Sequence, residues 1–116
     1  MEEIKTWQEM FELMKERPSP FYKILLKAAE THYRKNKNYA SAADPFSNFK
    51  MCEAFGITAE QGVLVRMSDK WSRIVNLASG VKDLVGESIK DTLLDLGVYS
   101  LILYTMMVEE EAKIPK

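Results

Sequence analysis

The chain has 116 residues, of which 47% are hydrophobic and 28% charged, and a formal net charge of −1 at pH 7. This length and mixture are typical of one globular domain with its own core and unlike those of disordered chains. Lysines and arginines are mixed among the acids, which argues against nucleic-acid binding because the sequence has no basic footprint for a phosphate backbone. The single cysteine cannot form an internal disulfide, and the first residues lack the charge pattern of a signal peptide. We therefore expect a single cytoplasmic domain over residues 1–116.

Apolar side chains recur at helical spacing in most of the chain, and turn residues separate the segments. The first predicted helix, residues 2–17, ends before Pro18. The second, residues 20–35, has Ser19 as its N-cap. Periodicity is lost in residues 36–48, which predict a long loop of the kind that often carries function.

A short helix is predicted next, with Gly56 as its C-terminal cap. Its apolar side consists of Phe46, Phe49, Cys52 and Phe55. Thr58 and Gln61 have the spacing of a capping box and begin a long helix that reaches about Ala78. The residues predicted to be buried in that helix are Val63, Leu64, Met67, Trp71, Ile74 and Val75.

After a turn that begins at Ser79-Gly80, the last helix is predicted over residues 87–110. Residues 96–108 carry no charge, but a membrane span needs about 20 apolar residues, so we expect a buried core helix and no membrane contact. No segment alternates as a strand would. The sequence therefore predicts an all-α fold, a bundle of four long helices plus one short helix.

Three acidic side chains interrupt the otherwise apolar last helix. Glu87, Asp91 and Asp95 lie four residues apart, which places them one above another in a sector about 80° wide. Like charges at this spacing repel, so a positive partner is expected, and Mg²⁺ suits carboxylates because it takes oxygen ligands. The spacing leaves a second interpretation open, in which Glu87 and Asp91 are solvated acids of the first turns and Asp95 pairs with a lysine or arginine.

The preceding long helix has a polar face on which basic side chains surround one acid. That face carries Arg66, Asp69, Arg73 and Asn76, with Lys70 at its edge. A surface ion pair between Asp69 and Arg73 would explain part of the pattern. Opposite the acids of the last helix, the same face would instead supply one more metal ligand and several cations for the oxygens of a triphosphate.

Four blocks of sequence, in order and at suitable spacing, resemble one family. They are residues 37–40 (KNYA), 44–49 (DPFSNF), 65–73 (VRMSDKWSR) and 87–96 (ESIKDTLLDL). These blocks resemble the nucleotide modification-associated domain family of phages and bacteria, which is similar to the MazG-like all-α nucleoside triphosphate pyrophosphohydrolases. The resemblance spans residues 37–104.

The resemblance implies an enzyme, dependent on Mg²⁺ or Mn²⁺, that cuts a nucleoside or deoxynucleoside triphosphate to the monophosphate and pyrophosphate. On this basis the predicted catalytic residues are Asp69, Glu87 and Asp91, which together with Asp95 are the predicted metal ligands. The predicted substrate-binding residues are Lys37, Tyr39, Asn48, Arg66, Lys70, Arg73 and Asn76. The resemblance also implies a homodimer or homotetramer in the cytoplasm of a bacterium or a phage-infected host cell.

Several alternatives stay open. Tyr39 could stack on a base and Asn48 could hydrogen-bond to the base edge or the sugar, or else Tyr39 packs and Asn48 caps the short helix. Asp69 lacks the clustered glutamates usual in the superfamily, and relatives often read Asp-Tyr-Gly where this chain has Asn38-Tyr39-Ala40. Two other functions therefore remain: a module that binds a nucleotide or a protein without hydrolysis, and a helical adaptor between proteins.

Overall fold

The computed structural model of the protein describes residues 3–39, 46–82 and 88–113. Within these ranges the chain forms α-helices and one 3₁₀ turn, with no strand, which confirms the all-α prediction. The helices are α1 (Trp7–Glu16), α2 (Pro20–Tyr39), α3 (Ser47–Lys50), α4 (Ala59–Ala78) and α5 (Ile89–Lys113). The 3₁₀ turn, Met51–Phe55, follows α3 directly. The arrangement of the long helices as a MazG-like bundle stays a prediction.

The chain divides into two compact units, Met1–Lys35 and Asn36–Lys116. In the first unit the hydroxyl of Thr6 accepts a hydrogen bond from the backbone N–H of Glu9 at 3.1 Å. This N-cap makes α1 begin at Trp7, five residues later than the sequence predicted, because an N-cap residue itself has non-helical backbone angles. None of the ten residues of α1, all within the described part of the chain, is buried.

The boundaries of the later helices follow from local signals. α2 extends to Tyr39, so the first four residues of the predicted loop are helical instead. Gly56 has a φ of 82° and ends the 3₁₀ turn, as predicted for a left-handed C-terminal cap. The capping box of α4 is also confirmed: the backbone N–H of Gln61 donates to the Thr58 hydroxyl at 3.1 Å, and that of Thr58 donates to the Gln61 side chain at 2.9 Å.

The core of the second unit lies where α3, α4 and α5 meet. α4 and α5 are antiparallel, since their cross-contacts join Lys70 to Asp95 and then Arg73 to Thr92. The buried apolar cluster consists of Phe46, Phe49, Ala59, Val63, Ile102, Leu103 and Met106. Burying a side chain such as Phe49 contributes about 1.5–3 kcal/mol, so this cluster fixes α3 and the register of the two long helices.

The predicted burial of α4 is only half right. Val63 and Ile74 are buried and Met67 packs against the core, but Leu64, Trp71 and Val75 are exposed. Each exposed residue comes directly after a residue that faces α5. One step along a helix is a rotation of about 100°, so these side chains point away from the contact. On the 3₁₀ turn, Phe55 was also predicted to lie on the buried side and is 85% exposed.

Gly62 allows the 3₁₀ turn to approach α4 closely. Gly62 is buried, and a Cβ atom at this position would lie 2.6 Å from Sγ of Cys52. No side chain larger than hydrogen fits there unless the thiol moves. The pair Gly62 and Cys52 therefore seats the segment from α3 to Phe55 against α4.

α5 is buried along one side only. Thr92, Ile102, Leu103 and Met106 are buried, whereas Leu101 and Tyr104 are more than half exposed. By length and composition α5 could cross a membrane, and 22% of its most apolar 18-residue window is buried; the core helix of a soluble protein can pass the same test. The prediction of a core helix thus holds for one face of α5, and the absence of membrane contact stays a prediction.

Candidate functional site

A layer of polar side chains interrupts the apolar contact between α4 and α5. Nζ of Lys70 lies 3.1 Å from a carboxylate oxygen of Asp95, and each of the two side chains is 25% exposed. Nearly one turn later on α4, Nε of Arg73 donates to the hydroxyl of Thr92 at 3.1 Å, and Thr92 is fully buried. We call Lys70, Arg73, Thr92 and Asp95 the polar layer. Three charged groups in partial burial are costly to desolvate, so the ion pair of Lys70 with Asp95 and the hydrogen bond of Arg73 to Thr92 matter to stability.

The polar layer occupies positions that the helical repeat assigns to the core. Lys70 follows the buried Val63 by seven residues, and Asp95 precedes the buried Ile102 by seven. Seven residues are close to two helical turns, so these side chains face the partner helix as the apolar ones do. Arg73 and Lys70, predicted on the polar face of α4 and at its edge, are both partly buried on the side of α4 that contacts α5. This agrees with the interpretation that sets this face opposite the acids of the last helix.

The two described acids of the predicted ladder have different surroundings. Asp95 is partly buried beside Lys70. Asp91 is exposed in the first turn of α5, where its backbone N–H donates to the Ser88 hydroxyl at 3.1 Å and its carboxylate accepts from that hydroxyl at 2.9 Å. Glu87 lies outside the described residues. The pairing of Asp95 with a lysine is the alternative that the sequence had left open.

Asp69 lies on α4 with an exposed side chain. In the described part of the chain, no three or more Asp, Glu, His or Cys side chains form a group that could hold a metal ion. The structure thus brings one predicted metal ligand, Asp95, together with two predicted phosphate-binding residues, Lys70 and Arg73. The full predicted ligand set includes Glu87 and so extends beyond the described residues.

The remaining predicted substrate-binding residues are placed around α3 and along the helices. The guanidinium carbon of Arg66 lies 5.8 Å from the centre of the Phe49 ring, a cation–π distance. Lys37 and Asn76 are exposed. Tyr39 is the last residue of α2, and its side chain lies outside the described part of the structure.

Asn48 carries a buried acceptor that lacks a hydrogen bond. Its Oδ1 atom is inaccessible to solvent and has no hydrogen-bond partner among the described residues. Leaving such an atom unsatisfied costs about 1–3 kcal/mol, and native proteins rarely do so. The alternative that Asn48 caps the short helix is wrong, because α3 begins after Phe46 and has no side-chain cap.

α3 holds Asn48 beside the middle of the α4–α5 pair. The ring of Phe49 packs edge-on against that of Tyr99 at a centroid distance of 6.3 Å and also contacts Arg66. Arg66 is one turn before Lys70 on α4, and Tyr99 is one turn after Asp95 on α5. The orphaned oxygen of Asn48 therefore belongs to the segment that packs one helical turn from the polar layer.

Thr92 is the one member of the polar layer that the sequence did not indicate. Its hydroxyl accepts from Arg73 and donates to the backbone carbonyl of Ser88 at 3.2 Å, so it orients the guanidinium. A signal was available, because Thr92 lies seven residues before Tyr99, which packs against the core. Threonine is common on helix surfaces, however, and the spacing alone does not distinguish a buried hydroxyl from an exposed one.

A groove at the opposite end of the helix pair contains none of the predicted site residues. It is formed where the start of α4 meets the end of α5. Its lining residues are Phe46, Lys50, Ala59, Glu60, Met106, Glu109, Glu110 and Lys113. We favour the polar layer as the functional site because it joins charged groups of α4 to the buried hydroxyl of Thr92 and contains three of the predicted site residues.

Comparisons with protein family models, with curated proteins and with solved structures give no match for this chain. The polar layer, Asn48 and the four sequence blocks are therefore the features that indicate a function.

Proposed function

We propose that the protein is a Mg²⁺-dependent, MazG-like pyrophosphohydrolase that cleaves a nucleoside or deoxynucleoside triphosphate to the monophosphate and pyrophosphate. The observation that carries this proposal is the polar layer, in which Lys70 and Arg73 of α4 meet Asp95 of α5 in partial burial. Triphosphate oxygens require cationic donors, and a bound divalent ion requires carboxylate oxygen. Both kinds of group lie within one helical turn of each other in this layer.

The donor set is compatible with a hard cation. Mg²⁺ is usually held by one or two protein carboxylates, with the remaining positions filled by water and substrate phosphates. Asp95 and Asp91 lie one turn apart on α5, and the proposal adds Asp69 and Glu87 to the ligands. When bound, the ion would polarise the phosphoryl oxygens and lower the pKa of the attacking water.

Lys70 has two roles in this proposal. Without substrate its ammonium neutralises the partly buried Asp95, which offsets the cost of removing that carboxylate from water. On substrate binding Lys70 would exchange Asp95 for a phosphate oxygen, since an ammonium on a flexible stem can move between the two. Arg73, oriented through Nε by Thr92, would present its planar guanidinium to the phosphates at the same level.

Asn48 would read the nucleoside part of the substrate. Its Oδ1 atom is an acceptor without a partner, so the group that satisfies it must donate a hydrogen bond. An amino group or ring N–H of a base, or a sugar hydroxyl, meets this requirement. Lys37, Tyr39, Arg66 and Asn76 keep the substrate-binding roles that the sequence blocks imply.

The direct test is to incubate the protein with a panel of nucleoside and deoxynucleoside triphosphates and Mg²⁺ and to measure pyrophosphate. Asp95→Asn and Asp91→Asn should abolish turnover. Asn at position 91 can still accept from the Ser88 hydroxyl, so helix content should persist in circular dichroism. Glu53→Gln, at an exposed acid of the 3₁₀ turn, is the matched control and should retain activity. Normal turnover in both α5 variants would show that these carboxylates do not form the catalytic site.

One observation favours a second candidate function, a module that binds a nucleotide or a protein partner without hydrolysis. The two described acids of the predicted ladder already have structural partners: Asp95 contacts Lys70, and Asp91 contacts Ser88. Calorimetric binding of a nucleotide without pyrophosphate from any substrate would favour the module. If the protein neither binds nor hydrolyses any nucleotide, the helical adaptor is favoured.

A further inference from the structure

α5 has a second apolar side that faces solvent. At about 100° per residue, one sector about 80° wide contains every member of a stripe that runs the length of the helix. The stripe consists of Lys90, Leu93, Gly97, Leu101, Tyr104, Val108 and Glu111. We call it the α5 stripe. All its members are exposed, and its four large apolar side chains are between 46% and 69% exposed.

The α5 stripe points away from the side of the helix that forms the core. The buried residues Thr92, Ile102, Leu103 and Met106 lie about 120–180° around the helix from its centre. A helix on the surface of a protein is normally polar on that side, so an apolar stripe about 22 Å long, from Leu93 to Val108, indicates a surface that another molecule covers. Asp95 lies on the core-facing side, so covering the stripe leaves the polar layer unobstructed.

The order of residues along the stripe makes it complementary to itself when reversed. Its first residue is the cation Lys90 and its last is the anion Glu111. In an antiparallel pair of stripes, Lys90 of each copy lies opposite Glu111 of the other, and Leu93 lies opposite Val108. Gly97 then lies opposite Tyr104, so the largest side chain of the stripe meets the position with no side chain.

In the monomer the position next to Gly97 is open, since a Cβ atom there would meet no atom within 4 Å. A two-fold axis midway along the stripe, between Ser100 and Leu101, generates all these contacts at once, as an isologous interface requires. Residues 96–108 carry no charge, so the centre of the pair brings no like charges together.

We propose that a second copy of this chain covers the α5 stripe, as an antiparallel α5–α5 pair with Lys90 facing Glu111 of the other copy at each end. The family resemblance implied an oligomer, for which the apolar first and last helices are candidate interfaces, and the α5 stripe specifies one face of the last helix. The inference goes beyond the proposed function, because it concerns a face of α5 that the polar layer does not use, and dimerisation can be measured without nucleotide.

The test is the molar mass of the full chain by sedimentation equilibrium across a concentration series. We expect a dimer for the unchanged protein. Lys90→Glu or Glu111→Lys alone should raise the dimer Kd by about tenfold, because each change places like charges together at two symmetric sites. The double exchange should restore dimerisation. Glu109→Lys makes the same charge change about 160° away from Glu111 and should leave the dimer intact.

A steric variant provides an independent readout. Gly97→Leu should leave the helix content unchanged, because the Cβ position is open, but should block Tyr104 of the other copy and give a monomer. A monomer at every concentration, or a dimer indifferent to Gly97→Leu and to both charge reversals, would overturn the proposal. So would a monomer that binds phosphatidylcholine vesicles, which would assign the stripe to a lipid surface.

Discussion

Replacing Gly62 with alanine tests the contact that seats the segment carrying Asn48. A Cβ atom on Gly62 would lie 2.6 Å from Sγ of Cys52 and 3.4 Å from its Cβ atom. The first distance is shorter than real Cβ contacts, whereas the second is an ordinary van der Waals separation. The thiol must therefore rotate, or the 3₁₀ turn must shift, before alanine can be accommodated.

Two opposing effects determine how much Gly62→Ala changes the free energy of unfolding. Alanine is favoured over glycine inside a helix by about 1 kcal/mol, and overpacking a well-packed site costs about 1–3 kcal/mol. In the unchanged background we expect Gly62→Ala to lower the free energy of unfolding by about 0–2 kcal/mol. In a Cys52→Ala background the Sγ atom is absent, so the same change should raise it by about 1 kcal/mol. The two substitutions should therefore couple by about 1–3 kcal/mol.

Urea unfolding of the four proteins of this cycle, followed by circular dichroism at one protein concentration, measures the coupling. If Gly62→Ala changes the free energy of unfolding equally in the two backgrounds, the contact with Sγ does not limit the site. In that case the close approach of Cys52 to Gly62 does not hold the 3₁₀ turn against α4.

Three further predictions concern the caps and the site. Thr58→Ala should lower the unfolding free energy by about 1 kcal/mol in a urea titration, because it removes the capping box of α4, and Thr58→Ser should restore it. Asn48→Leu should stabilise the fold by about 1 kcal/mol, because it removes an orphaned acceptor, while it weakens nucleotide binding measured by calorimetry; a loss of stability would contradict this. Lys70→Met and Asp95→Asn should show a coupling of about 1 kcal/mol in the free energy of unfolding, and this coupling should shrink with added salt. Strictly additive losses would show that the two side chains do not stabilise each other.

Much of the secondary structure was predictable because its signals are local. The capping box at Thr58, the left-handed glycine at position 56 and the turn at Ser79-Gly80 each act within a few residues, and the structure confirms all three. The predicted start of α1 is wrong for an equally local reason, since Thr6 caps the helix and makes it begin at Trp7. The helix ends at Pro18 and Gly56 needed no tertiary information.

The candidate site was predictable as a set of residues but not as an arrangement. Helical periodicity shows which side chains share a face, yet it does not show which face another helix will cover. On α4 the face with Trp71 and the face with Lys70 were both plausible inner faces, and the sequence favoured the wrong one for Trp71. Hydrophobicity could not decide, because the covered face of α4 itself contains two cations.

By itself the sequence determined that the chain is helical, where most helices begin and end, and which acids and bases lie on α4 and α5. Only the tertiary structure decided that Lys70 meets Asp95 and that Arg73 meets Thr92. The physical reason is register: these contacts depend on how the apolar cluster of Phe49, Val63 and Ile102 aligns the two helices, and that alignment is a property of packing between distant segments.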